Sequence, residues 1–177
     1  SFGGSVSVNT PMPPLGPALT PAIIQSTGVS VLGNTTLNAN TGDITLLSGG
    51  NRFAGELSLS GNNASIGGTT ADLTLNTVTL TGNLSLTTLG GDITDTGPVT
   101  VAGATSLIST ELCFFPGFCV IPPGDVILDD PANQLGTLTV RGVGVTIVEN
   151  DDIDVASIQA SAFGPTFSPL TLTSTGN

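Results

Sequence analysis

Lysine, histidine, tryptophan and tyrosine are all missing from this chain of 177 residues, and Arg52 and Arg141 are its only cationic side chains. Against them stand 13 acidic residues, for a net charge of −11. Phosphate contacts need clustered Lys or Arg, so a nucleic-acid partner is disfavoured. No run approaches the roughly 18 apolar residues of a membrane-spanning helix. Apolar periodicity of 3.6 never outlasts a single turn, so helical signals are almost absent. The charged fraction is only 8%, which ordinarily warns of poor solubility, but a surface of Thr, Ser and Asn stays wet without it. Hydrophobic residues make up 38% and are spaced periodically, which argues against disorder despite 24 Gly and 12 Pro.

What is present is alternation. Leu57-Ser58-Leu59-Ser60, Leu73-Thr74-Leu75, Val78-Thr79-Leu80, Leu84-Ser85-Leu86 and Val99-Thr100-Val101 are apolar-polar runs separated by Gly, Asn, Asp and Thr. Period two marks strands with one face buried. Leu57 and Leu59 map onto Val78 and Leu80 and then onto Val99 and Val101 at steps of 21, and Leu73 maps onto Ile93 at 20. A strand pattern that returns at this spacing predicts an all-β parallel β-helix with about 20 residues per coil. Roughly nine coils, stacked about 4.8 Å apart, would make a rod about 40 Å long. Val29, Val31, Leu37, Ile44 and Leu46 are expected in its core, Phe53 as an interior plug, and Ile153, Val155 and Ile158 as the continuation.

A longer period lies over the first. Gly42-Asp43-Ile44 and Asn51-Arg52-Phe53 reappear at an offset of 82 as Gly124-Asp125-Val126 and Asn133-Gln134-Leu135. Leu57, Leu59, Gly61 and Ile66 fall at 81 on Leu138, Val140, Gly142 and Ile147, and Leu84-Ser85-Leu86 answers to Leu170-Thr171-Leu172. Earlier in the cycle, Val29 to Leu37 aligns with Val99 to Leu107 at an offset of 70. The offsets differ by 12 because six residues separate Leu37 from Ile44 and eighteen separate Leu107 from Val126. Residues 108–123, with Cys113 and Cys119, are therefore read as an insertion that projects as a loop. Residues 10–22 hold Pro11, Pro13, Pro14, Pro17 and Pro21, which cannot donate to a ladder, and read as a second loop between coils or as a polyproline ligand. The whole of 1–177 reads as one β-helix segment, a window from a longer array, since both ends fall in mid-pattern.

The strings NRFAGELSLSGNNASI and LTLNTVTLTGNLSLTTLGGDITDTGPVTVAGATSL, with GDITL before them, resemble the repeats of filamentous-haemagglutinin-like exoproteins. These are the large secreted adhesins of two-partner secretion systems in Gram-negative bacteria and cyanobacteria. The resemblance spans roughly residues 23 to 177 without the cysteine insertion, and the amino-terminal secretion domain of that family is not seen. It implies a right-handed parallel β-helix at the exterior of such a cell. The implied role is a rod that presents loops for attachment to a host or neighbouring cell, glycans or matrix, or a self-assembling filament or sheath component with no specific ligand. No cofactor and no membrane insertion are implied.

Few side chains suggest chemistry. Cys113 and Cys119 flank Pro116-Gly117, a turn dipeptide, and an even count in a chain of extracellular character favours a disulfide; free thiols and metal or redox chemistry are the alternatives. With no His, two thiolates are too few for zinc. Phe114, Phe115 and Phe118 lie in the same loop, either packed on the flank as anchors or exposed as a contact for another filament or surface. Asp151, Asp152 and Asp154 follow neither EF-hand nor nonapeptide spacing and read as a solvated turn, with weak calcium binding as the alternative. β-Helical polysaccharide lyases need a basic proton acceptor, which is wanting here, and glycoside hydrolysis needs two facing carboxylates. Asp43, Asp92 and Asp125 recur at turn positions, which favours a structural role. Asn34, Asn63 and Asn83 head glycosylation sequons, which a chain rich in Asn, Ser and Thr also produces by chance.

Overall fold

The computed structural model describes residues 3–10, 22–115, 118–160 and 169–176. Within them the chain is all-β and winds into a parallel β-solenoid of about seven turns, with roughly 21 residues per turn. Branched and long apolar residues alternate with Ser and Thr along each strand, so one set of side chains enters the core while the other suits a pleated, wet surface. The count falls short of nine coils in part because the cysteine ribbon forms a sheet of its own and adds no turn to the solenoid.

Three faces follow from the pairing. On the first, Val6–Asn9, Thr35–Asn38 and Glu56–Gly61 stack in parallel register, followed by residues 78–80 and then Val99–Val101. The second runs through Ile23–Ile24, Ile44–Leu46, Ala64–Thr69, Leu84–Leu89, Ala104–Thr110, Thr137–Gly142 and Asp154–Ala160. The third begins with Ser30–Val31 on Arg52–Phe53. It resumes with residues 73–75, Ile93–Asp95, Val126–Leu128, Val145–Glu149 and Leu170–Ser174. The eight-residue strand Leu73–Leu80 turns the corner from the third face to the first. In the next turn that corner opens at Thr96-Gly97-Pro98, because proline has no N–H to give the ladder.

Inside the second face, Ile44, Ala64, Leu84, Thr105 and Leu138 form one column and Leu46, Ile66, Leu86, Leu107 and Val140 the next. All ten are buried. Each fully buried Leu or Ile contributes about 1.5–3 kcal/mol relative to exposure, and only the neighbouring turns provide that burial. Val31, Leu37, Ile44, Leu46 and Phe53 lie in the core as expected, and Val29 and Ile158 pack partly buried against it. Val155 departs from expectation: it is 41% exposed, because no further strand beyond Asp154–Ala160 covers it among the described residues.

The sequence repeat and the coil do not share a period. Thr35 and Leu37 sit on the first face, whereas their counterparts Thr105 and Leu107 sit on the second. Ile44 on the second answers to Val126 on the third, and Arg52 on the third answers to Gln134, which bridges Thr100 of the first. Every repeated element therefore lies one face further round. Seventy residues at roughly 21 per turn are three turns and a third, which accounts for the step.

The cysteine insertion is an antiparallel ribbon of Leu112–Phe115 and Phe118–Ile121, the two strands of a separate sheet. It starts later than the sequence suggests: residues 108–110 still pair with residues 87–89 of the solenoid. The proline-rich segment, from Pro11 to Pro21, falls outside the described residues.

Candidate functional site

The acidic side chains bind the turns to one another. Where the first face meets the second, Asp43 Oδ1 accepts from the Asn63 N–H at 3.1 Å and from the side-chain amides of Asn62 and Asn63. Asn63 Oδ1 takes the Asn83 N–H at 2.8 Å, and Asn83 Oδ1 the Ala104 N–H at 2.8 Å. Those bonds favour the ionised form, and the Asn63 N–H first of all holds the Asp43 carboxyl below its ordinary range. Where the second face meets the third, Asp72, Asp92 and Asp125 accept in turn from the N–H groups of Asp92, Asp125 and Gly144. At the remaining corner Glu56 gathers the side chains of Asn34, Asn76 and Thr96. Asp43, Asp92 and Asp125 thus satisfy backbone donors one turn on, and the Asn34 and Asn63 amides are already engaged.

A second polar set lies inside. Asn51 and Asn133, partners in the sequence repeat, are both fully buried. Each accepts a backbone N–H through Oδ1, from Val29 at 3.0 Å and from Val99 at 2.8 Å. Asn133 Nδ2 donates to Asp95 Oδ2 at 2.7 Å, and Asp95 also accepts from the N–H groups of Asp129 and Asp130. One turn later the Leu135 N–H donates to Glu149 Oε1 at 2.7 Å, while the buried Glu149 Oε2 has no partner. Burial raises both the Asp95 and the Glu149 carboxyl above their ordinary values, against the pull of the bonds they accept. The sequence reading passed over this pair, although period two from Ile93 places Asp95 inward. Both carboxylates are buried, Asp95 against Asn133 and the Asp129 N–H and Glu149 against the Leu135 N–H.

Cys113 and Cys119 are joined by a disulfide across the projecting ribbon. Glu111 at its base accepts from Arg141 at 3.2 Å, with both side chains about a third exposed. The proposed contact through Phe114, Phe115 and Phe118 falls outside the described side chains. Asp154 accepts from Thr137, and among the described residues no three His, Cys, Asp or Glu side chains converge as a metal site; Asp151, Asp152 and Asp154 are not brought together.

The outward side of the first face is lined by neutral polar side chains. Asn9, Asn38, Ser60, Thr79 and Thr100 form one column across five successive turns, with Thr36, Ser58 and Thr77 beside it. A shallow groove of about 360 Å³ runs over Leu37 and Leu59 between these side chains, and no charged residue lines it. A family of repeats of unknown function (DUF5649) matches residues 18–60 and 61–142, well over half of the chain. The chain belongs to that family. No curated protein and no solved structure matches it. The two DUF5649 matches end within a residue of equivalent points in the internal repeat, and together they take in the solenoid from Ile23–Ile24 to Thr137–Gly142, the ribbon and most of the neutral face.

Proposed function

We propose that this DUF5649 chain is a segment of an extracellular rod of the adhesin or surface-fibre class, similar in role to filamentous-haemagglutinin-like exoproteins. Its work is mechanical: the solenoid spaces and presents its faces and insertions to a host or neighbouring-cell surface, glycans or matrix. The observation that carries this reading is the consumption of the turn carboxylates in bonds between turns, which leaves a stiff scaffold with an uncharged face and a cross-linked ribbon outside. The disulfide accords with an oxidising exterior, and the net charge of −11 keeps such a rod off nucleic acid and anionic membranes. No helix among the described residues is long and apolar enough to cross a membrane.

Latex beads coated with the chain test the proposal on immobilised cells and extracellular matrix. Retention above that of albumin-coated beads is expected. Inert beads, together with fibres of the free protein in electron micrographs, would replace the adhesin with a self-assembling filament.

A further inference from the structure

Resting on that reading, we propose that the first face is the attachment site and that its ligand is a neutral polysaccharide laid along the rod axis. The argument begins with donors and acceptors. Ser and Thr hydroxyls and Asn amides each donate and accept, as sugar hydroxyls do. Among the described residues, the hydroxyls of Thr36, Ser58, Ser60, Thr79 and Thr100 bond to no other protein group, whereas Thr94 on the third face is spent on Thr74 at 3.2 Å. Ser65, Ser85 and Ser106 stack as free hydroxyls on the second face too, but the groove that would seat a chain lies on the first. The free groups repeat once per turn at the inter-strand spacing of about 4.8 Å. An extended β-1,4-linked glycan advances by a similar distance per pyranose ring, so successive rings meet successive turns.

Charge selects among polymers. Glu56 stands at one edge of the face and Asp43 at the other, held there by their bonds to Asn34 and Asn63. The two arginines lie elsewhere, Arg52 on the third face and Arg141 on the second. An acidic glycan would meet repulsion with no compensating cation, whereas a neutral one loses nothing. A folded protein partner is a poor fit, because tight protein interfaces are anchored by aromatic and Arg side chains in pockets and this groove offers neither. Each hydroxyl contact is weak and wet, so binding requires a polymer that engages several turns at once.

Affinity electrophoresis of the full chain through gels containing soluble glucan, xylan or mannan, with polygalacturonate as the acidic comparison, tests the inference. Retardation by at least one neutral polymer and none by polygalacturonate is expected. The Ser60→Asp/Thr79→Asp pair should weaken retardation at least tenfold, and Ser85→Asp on the second face should leave it unchanged. Far-UV circular dichroism checks that the variants fold, and Ser60→Ala/Thr79→Ala substitutes where the acidic pair does not. Retardation by no neutral polymer, by polygalacturonate equally, or with equal loss in all variants would overturn the assignment. Beads that attach to cells regardless of the Ser60 and Thr79 changes would sink this site and leave the rod reading standing; beads and gels that both stay blank would sink both.

Discussion

At the scale of single residues, the polar atoms inside the solenoid decide where stability can be gained. Thr35 and Thr105 are repeat partners on different faces, and in both the hydroxyl is buried without a hydrogen-bond partner. An unsatisfied buried hydroxyl costs about 1–3 kcal/mol, so Thr105→Val should raise stability by about 1 kcal/mol, seen as a higher urea midpoint at unchanged slope. Glu149 couples the corner to pH. Its carboxyl is raised in the folded state by burial first, so the favourable contribution of the protonated form is complete below the ordinary value of 4.5 and is lost as pH climbs through the raised one. Urea titrations between pH 4 and 8 should show wild type losing more stability than Glu149→Gln; parallel curves would contradict this. The aligned pair Asn51 and Asn133 was legible in the sequence, since both copies keep Asn before Arg52-Phe53 or Gln134-Leu135. Asp95 ends a stretch, Gly90 to Asp95, that reads as a turn; Ile93–Asp95 is a strand instead, and three donors from residues 129, 130 and 133 keep Asp95 inside.

At the scale of elements, corners and insertions carry the specificity that alternating strands lack. Gly136 has φ of +58°, in the left-handed region, and a Cβ there would strike the Gly103 carbonyl of the turn below. Gly136→Ala should therefore cost at least about 1 kcal/mol, measurable as a lower thermal midpoint. The ribbon makes the opposite case. Its two strands form a sheet apart from the solenoid ladders, so Cys113→Ser/Cys119→Ser should leave the far-UV spectrum and the main unfolding midpoint within about 0.5 kcal/mol of wild type. Limited proteolysis should find the ribbon cut faster in that variant. The strands themselves were plain from period two, and the returns from Leu73 to Ile93 and from Val78 to Val99 hold, but Val78 stacks on Leu59 rather than on Leu57, because the register shifts between Leu57 and Leu59. The start of the ribbon was misjudged by a few residues, because Ile108-Ser109-Thr110 keeps the solenoid alternation and only pairing with the turn beneath shows where the coil ends.

For the whole molecule, stability belongs to neighbouring turns rather than to any one of them. Leu86 sits in the central column between Ile66 and Leu107 and is fully buried. Leu86→Ala should cost about 2–5 kcal/mol, and hydrogen exchange should speed up first in the turns touching it. The long repeat is plain in the sequence but its rotation is not, since at about 20 residues per coil an offset of 70 is three and a half turns and only the observed turn of roughly 21 makes it three and a third. That rotation also governs display. A unit of three turns and a third works like a gear whose teeth do not divide evenly: each copy is turned by a third of a revolution from the last, and the fourth copy restores the first heading. Any further copies of the same length would set the same side chains around the axis like treads on a spiral stair. Such a shaft would meet a surface with the same chemistry whichever way it happened to roll.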